Sequence, residues 1–295
     1  MNKLLASILV ISGLLSSATS YAETSGRGLY LGAFAGAGRS NGDEIRQTGQ
    51  AYAYLPKYTG GEEYRLPVDV SGKLKDDNFG LGGVSAGYEW ASVGMLKPAL
   101  EFEAMYLSGN QKANLKNKRD EVGISREFNE PLPAETVYAG NHTFKDSFDM
   151  RSFALMVNGV LGFETGTMFT PYAGAGIGMA KVKMKNSRSA QTCKFYTDVN
   201  PTCSLEMSGN QVVNHFNSDD SASDYVFAAQ AKLGVRAEFS KNVSMFAEYR
   251  YLRLNSADYK FGRTAYDTHL ETDPWKVKTD ATDLHFGLVG VQYAF

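Results

Sequence analysis

Along most of the chain, apolar and polar residues alternate with a period of two. In Asp224–Phe239, Phe227, Ala229, Ala231, Leu233, Val235, Ala237 and Phe239 share one side, while Gln230, Lys232, Gly234, Arg236 and Glu238 take the other. Val243–Asn255 sets Val243, Met245, Ala247, Tyr249 and Tyr251 against Ser244, Glu248 and Arg250, and Pro98–Ser108 sets Leu100, Phe102, Ala104 and Tyr106 against Glu101 and Glu103. A strand sends successive side chains to opposite faces, so each segment predicts a two-faced strand. The same reading gives strands over Gly28–Arg39, Phe79–Trp90, Phe148–Glu164, Pro171–Met184 and Asp283–Phe295. The total is eight. They are joined alternately by short connections (ASVGMLK, TGTMFT, Ser240-Lys241-Asn242) and by long polar ones, Ser40–Asn78, Gly109–Ser147, Lys185–Ser223 and Ser256–Ala281.

Four polar connections of about 25 to 40 residues are out of place in a compact soluble domain. An even number of antiparallel strands with short turns at one end and long loops at the other is the plan of a transmembrane β-barrel. In lipid every backbone polar group must be paired within the protein, and a closed barrel does this without an edge. The pattern alone admits two orientations of the faces: apolar side inward, as in a soluble sandwich, or outward toward lipid. Two features favour the second. Aromatics gather at strand ends (Trp90, Tyr106, Phe239, Tyr249, Tyr251, Tyr293, Phe295), where interfacial girdles belong, and the polar face carries charges of both signs.

The N-terminus sets the compartment. Lys3, the apolar run Leu4–Leu15 and the small-residue ending Ser20-Tyr21-Ala22 form a secretory signal, with cleavage expected after Ala22 and a barrel domain over 23–295. The run is too short to span a bilayer as a helix, which takes about 20 residues. Thirty Gly, 17 Tyr and 17 Phe suit a barrel, and a formal charge of −2 gives no footprint for nucleic acid.

Candidate chemistry is sparse. Glu89, Glu101, Glu103, Lys232, Arg236, Glu248 and Arg250 are the charges expected inside the barrel. They could line an ion path or fill the bore as a salt-bridge network; the narrow interior of eight strands favours filling. Glycines beside them make room in that bore. The GAGIG run from Gly174 lacks the strand–turn–helix context of a dinucleotide site, so no cofactor is expected. Cys193 and Cys203 in CKFYTDVNPTC suggest a loop disulfide in an oxidising compartment, free thiols being the other reading, and no His lies near them to suggest a metal. Barrel hydrolases such as omptins and the lipid A deacylase need a His near a carboxylate or a Ser at the outer rim. His285, two residues after Asp283, is the best placed of the four histidines, but no nucleophile accompanies it and no catalytic residue is assigned.

GLYLGAFAGAG, TPYAGAGIGMAKVK, SMFAEYRYLRL and HFGLVGVQYAF together resemble the small outer-membrane β-barrel superfamily, which includes OmpA-type transmembrane domains and surface antigens of Gram-negative bacteria. The ending, with Val289, Val291, Tyr293 and a terminal Phe295, resembles the C-terminal signal read by the barrel-assembly machinery. The resemblance implies an outer-membrane location, contact with outer-membrane lipid and lipopolysaccharide, and an adhesive or antigenic role through the long loops toward a host or phage ligand. A narrow solute channel is the alternative.

Overall fold

A computed structural model describes residues 28–54, 63–75, 77–117, 125–126, 143–194, 202–203, 206–208, 211–212, 214–265 and 271–295. The expected signal peptide lies outside these residues, as do His142 and His269. Sixteen strands are described, numbered in chain order. Eight of them build a barrel: β1 (Gly28–Ser40), β4 (Asn78–Glu89), β5 (Leu96–Asn117), β7 (Thr143–Phe163), β8 (Phe169–Lys194), β12 (Ala222–Glu238), β13 (Val243–Leu254) and β16 (Thr282–Ala294). The others lie in the long connections: β2 (Glu44–Tyr54), β3 (Glu63–Lys73), β6 (Ser125–Arg126), β9 (Thr202–Cys203), β10 (Glu206–Ser208), β11 (Gln211–Val212), β14 (Ala257–Lys260) and β15 (Lys276–Thr279).

Each barrel strand pairs antiparallel with its chain neighbours in the set, and β1 closes the ring on β16 from Tyr30↔Ala294 to Ser40↔Leu284. No edge is left at this level. Gly94 and Gly166, at φ 63° and 71°, supply the left-handed residue in two of the short turns.

The faces are settled by burial. Leu31, Phe102, Leu155, Ile177, Leu233 and Val289 stand exposed on the outside, whereas Glu101, Glu103, Lys232, Glu248 and Arg250 are buried inside. The apolar face is the lipid face. Tyr88, Trp90, Phe169 and Phe239 edge it at the short-turn end, and Tyr106, Phe153, Tyr225 and Tyr249 at the other. By the rule for such barrels the short turns are periplasmic and the long connections extracellular.

The long connections differ from the expectation of polar loops. β5 continues to Asn117, β7 begins at Thr143, and β8 runs on to Lys194, all well beyond the segments read from the sequence. The reason is a change of solvent along an unbroken strand. In β7, Phe153, Leu155 and Val157 point outward into lipid while Ser152 and Asn158 point in; past Arg151 the sides exchange, with Phe144, Phe148 and Met150 buried and Lys145 and Arg151 outside. Outside a membrane a sheet hides its apolar face, so the alternation continues with reversed polarity. One bulge interrupts it, where Ser147 and Asp149 oppose Arg188 and Lys185 and Asn186 takes φ 50°.

The β2–β3 hairpin and the β14–β15 hairpin pair with each other through β2 and β15, and β3 joins the outer end of β5 at Val70↔Asn117. They wrap a second apolar core of Ile45, Leu115, Phe144, Phe216, Tyr259, Phe261, Trp275 and Val277. This core is continuous with the upper bore, where Leu81, Met105, Met156, Leu252, Phe286 and Leu288 meet. The structure therefore holds an extracellular lobe where the sequence reading placed only loops.

Candidate functional site

The periplasmic half of the bore holds an ion-pair network built from alternate positions of four strands. β5 contributes Glu101 and Glu103, β12 contributes Lys232 and Arg236, β13 contributes Glu248 and Arg250, and β4 ends in Glu89. Lys232 Nζ bridges Glu101 and Glu103, the latter at 3.1 Å. Arg250 reaches Glu103 at 2.8 Å and Glu248 at 2.7 Å, and lays its guanidinium 4.6 Å from the centre of the Phe34 ring. Arg236 bonds Glu89 at 2.9 Å, nearer the short-turn end. All seven charges named from the sequence face this interior.

Neutral partners complete it. The Tyr30 hydroxyl donates to Glu101 at 3.0 Å, the Tyr172 hydroxyl to Glu248 at 2.9 Å, and Asn158 and Gln230 bond Glu101, Glu103 and each other. Sequence reading put Gln230 on the polar face but missed Tyr30, Tyr172 and Asn158, though each sits at an inward position of the period-two pattern. The glycines explain how the tyrosines fit. Tyr30 is paired with Gly87 and Tyr172 with Gly234, and a Cβ on either glycine would strike the partner ring. Phe34 lies likewise over Gly83, Phe79 over Gly109 and Phe246 over Gly290. Each ring fills the space a cross-strand glycine leaves, and two of them carry a phenol to a carboxylate.

A cavity of about 30 Å³ remains among Tyr30, Glu101, Lys232, Glu248 and Arg250, space for about two waters. Below it a vestibule of about 410 Å³, lined by Lys97, Glu164, Arg236, Asn242 and Gln292, opens at the short-turn end. Above it the bore changes character. Met105, Met156, Leu252 and Leu288 begin an apolar layer that rises into the lobe. The expectation of an interior filled by charged side chains is thus corrected: charges fill its lower half and hydrocarbon its upper half.

In the lobe, His215 is enclosed by the rings of Phe144 at 5.2 Å and Trp275 at 5.4 Å, and burial pushes its pKa down to about 3. Asp146 is buried next to Ser189, and burial pushes its carboxyl up to about 7 against the hydroxyl's opposing effect. The Trp275 indole donates to Thr264 at 3.0 Å. The backbone register sets Cys193 opposite Cys203 at the end of β8. At the outer rim, Asp283 and His285 lie on the outward face of β16. Asp283 accepts from the Tyr251 hydroxyl at 2.6 Å and faces Arg253 at 3.3 Å; His285 Nδ1 is 2.7 Å from the Tyr249 hydroxyl. Both are occupied with tyrosines, and among the described residues nothing there is placed as an activated Ser or Asp nucleophile. At the C-terminus Val289 and Val291 face lipid, and the Tyr293 and Phe295 rings meet edge-on at 5.2 Å. No group of three or more potential metal ligands occurs among the described residues.

A closed eight-stranded barrel with a lipid-facing apolar band, aromatic rims and a packed interior is a small outer-membrane barrel. The chain belongs to the outer membrane protein beta-barrel domain family, matching it over residues 7–295, and its place is the outer membrane of a Gram-negative bacterium. It is 26% identical over 230 residues to the outer membrane protein PagN of Salmonella typhimurium, covering 77% of this chain and 79% of PagN. An uncharacterized protein of Brucella abortus is 25% identical over 246 residues, 79% of this chain and 75% of its own. Among solved structures, the outer membrane protein OprG of Pseudomonas aeruginosa aligns with a TM-score of 0.43 at 9% identity, covering 92% of this chain and 99% of OprG. Neisserial surface protein A aligns with a TM-score of 0.34 at 13% identity, covering 92% and 100%.

Proposed function

We propose that this protein is a non-conducting, non-catalytic barrel whose working part is the extracellular lobe, held above the membrane for contact with a macromolecular partner such as a host or phage surface component. The observation that supports this reading best is the continuous apolar core from Met105 and Leu288 in the bore to Phe144 and Trp275 in the lobe. An ion taking the axial route would have to leave water across that layer, which is prohibitive without a polar lining. The two hairpins and the prolonged strands carry that core above the membrane, where it supports an extracellular surface. Conductance across planar bilayers tests it: no steps above the lipid background are expected, and reproducible ohmic steps from folded protein would overturn it. Adherence of a non-adhering host strain that displays the protein is the positive arm. We further propose that Cys193 and Cys203 are bonded, since directly opposed antiparallel residues have Cα atoms about 4.5–5.5 Å apart, within disulfide range. Val289, Val291, Tyr293 and Phe295 are proposed as the segment read by the barrel-assembly machinery.

A further inference from the structure

The outer ends of β7 and β8 carry an unbalanced charge that the barrel does not use. Going up the lipid face, Leu155 and Met179 stand opposite each other, then Phe153 and Lys181, then Arg151 and Lys183, then Asp149 and Lys185. The side chains thus change from hydrocarbon to cations within two steps, at the level of the Phe153 and Tyr225 aromatics. Like charges directly opposite in a sheet destabilise it, so Arg151↔Lys183 is a poor pair unless an anion lies between them. Among the described residues no carboxylate is ion-paired with Arg151, Lys181 or Lys183. Asp149, the acid on this patch, stands opposite Lys185 and accepts from Asn186 at 2.6 Å, so the patch keeps a net positive charge. Lys181 lies 5.2 Å over the Tyr225 ring, which holds its ammonium at the interface.

The other side of the barrel is different at the same height. Arg253 faces Asp283 at 3.3 Å, so its charge is balanced within the protein, and Arg39 stands singly on its strand, bonded to the Asn78 amide at 3.3 Å. Cations opposed on adjacent strands, the arrangement that calls for an anion between them, stand on β7 and β8 immediately above the apolar band. We propose that Arg151, Lys181 and Lys183 form a docking face for the phosphate groups of outer-leaflet lipid, a phosphorylated glycolipid whose acyl chains lie along Leu155, Met179 and Phe227. A soluble acidic partner would have no use for cations set at the lipid boundary, and a phosphate anchored by its own acyl chains is delivered to that depth. Two cations on adjacent strands, one of them a guanidinium, suit a single phosphate between them. The inference rests on the membrane location and is independent of whether the lobe binds a partner.

Native mass spectrometry of the full chain folded in detergent, titrated with bis-phosphorylated lipid A and with the same lipid stripped of its phosphates, tests the proposal. Arg151→Ser with Lys183→Ser should weaken the phosphorylated lipid by about thirtyfold, about fivefold for each cation at a membrane surface, and leave the stripped lipid unchanged. Arg253→Ser, on the opposite side, should leave the phosphorylated lipid within about twofold of the parent. The swap Arg151→Lys with Lys183→Arg keeps the charge and should retain binding, which separates loss of charge from loss of fold. Equal affinity for both lipids in the parent protein would overturn the proposal, as would equal loss on Arg253→Ser. Displacement of the lipid by millimolar inorganic phosphate would also overturn it, since that would mark a general anion site.

Discussion

Replacing Arg250 with Met tests whether the lower bore is dry. The side chain is fully buried and joins two carboxylates, Glu103 at 2.8 Å and Glu248 at 2.7 Å. Met keeps most of the volume, so the change removes charge with little cavity. Taking one partner from a buried ion pair costs about 3–5 kcal/mol because the remaining charge is left uncompensated. Here the residual groups are partly held: Glu103 keeps Lys232 at 3.1 Å, and Glu248 keeps the Tyr172 hydroxyl at 2.9 Å. That argues for the lower end, about 3 kcal/mol, with about 1 kcal/mol more from the lost cation–π contact on Phe34. Adding Glu248→Gln removes one stranded charge and should recover about half of the loss. The assay is urea unfolding of the protein refolded into lipid vesicles, followed by tryptophan fluorescence. A single variant within about 1 kcal/mol of the parent would refute the reasoning, since it would mean the carboxylates are already hydrated. A hydrated network would also reopen the question of an aqueous path.

Four further outcomes follow from the geometry. Gly87→Val and Gly234→Val should each displace the tyrosine lying on them and cost about 1–3 kcal/mol by overpacking, whereas Gly159→Val, where no atom lies within 4 Å of an added Cβ, should be nearly neutral in the same urea assay. Oxidised protein should gain two alkylatable thiols only after reduction, and Cys193→Ser should lower lobe stability by about 2–3 kcal/mol in a proteolysis assay. Deleting Phe295 should reduce heat-modifiable folded protein in outer-membrane fractions while leaving refolding in detergent intact. The pH dependence of the lobe has two opposed parts. The Asp146 carboxyl, raised to about 7, gives stability that is full below about pH 4 and lost as pH rises to 7; Asp43, half-buried and raised to about 6 by burial, acts in the same direction. His215, lowered to about 3, gives stability that is full above about pH 6.5 and lost as pH falls to 3. His215 and Asp146, each with a slope of up to about 1.4 kcal/mol per pH unit, offset one another between about pH 4 and 6.5, and half-exposed Asp43 adds a smaller, solvent-screened loss as pH rises toward 6. His215→Phe should therefore leave lobe protection in hydrogen exchange falling as pH rises, Asp146→Asn combined with Asp43→Asn should leave it falling as pH drops, and parallel profiles in the two proteins would contradict the assignment.

The short-turn ends were legible to within about two residues: β1 begins at Gly28 and β13 at Val243, as the alternation predicts. The seven interior charges were legible for the same reason, because a charge on an alternating strand can face only one of two ways. Their pairing was not. Glu101 and Lys232 are 131 positions apart, and they meet only because closure and stagger of the ring bring β5 across from β12. Tyr30 and Tyr172 were invisible because an aromatic at an inward position reads the same as one at a rim. The outer strand ends were missed for a different reason. Lys112, Asn114 and Lys116 look like loop when an apolar outward face is sought, although Ala113 and Leu115 keep the same alternation with the sides exchanged.

That exchange decides how the molecule is packed. A barrel that ended at its outer aromatic rim would expose Met150, Phe286 and Leu288 to water at the mouth of the bore, since they are inward residues of its upper layers. Covering them requires more inward apolar residues above, each of which needs strand backbone to hold it. The continuation of β5, β7 and β8 and the two added hairpins supply that backbone, and Trp275, Phe144 and Phe216 close the top. The apolar bore and the folded lobe are consequently one packing unit. A substitution such as Trp275→Ala should cost about 3–5 kcal/mol through the cavity it leaves. It should loosen the extracellular strands first, because the hydrogen-bonded ring below closes independently through β1 and β16. Hydrogen exchange confined to the lobe in that variant would show two levels of stability in one unbroken set of strands. Equal loss throughout the barrel would show instead that the lobe and ring unfold as a single cooperative body.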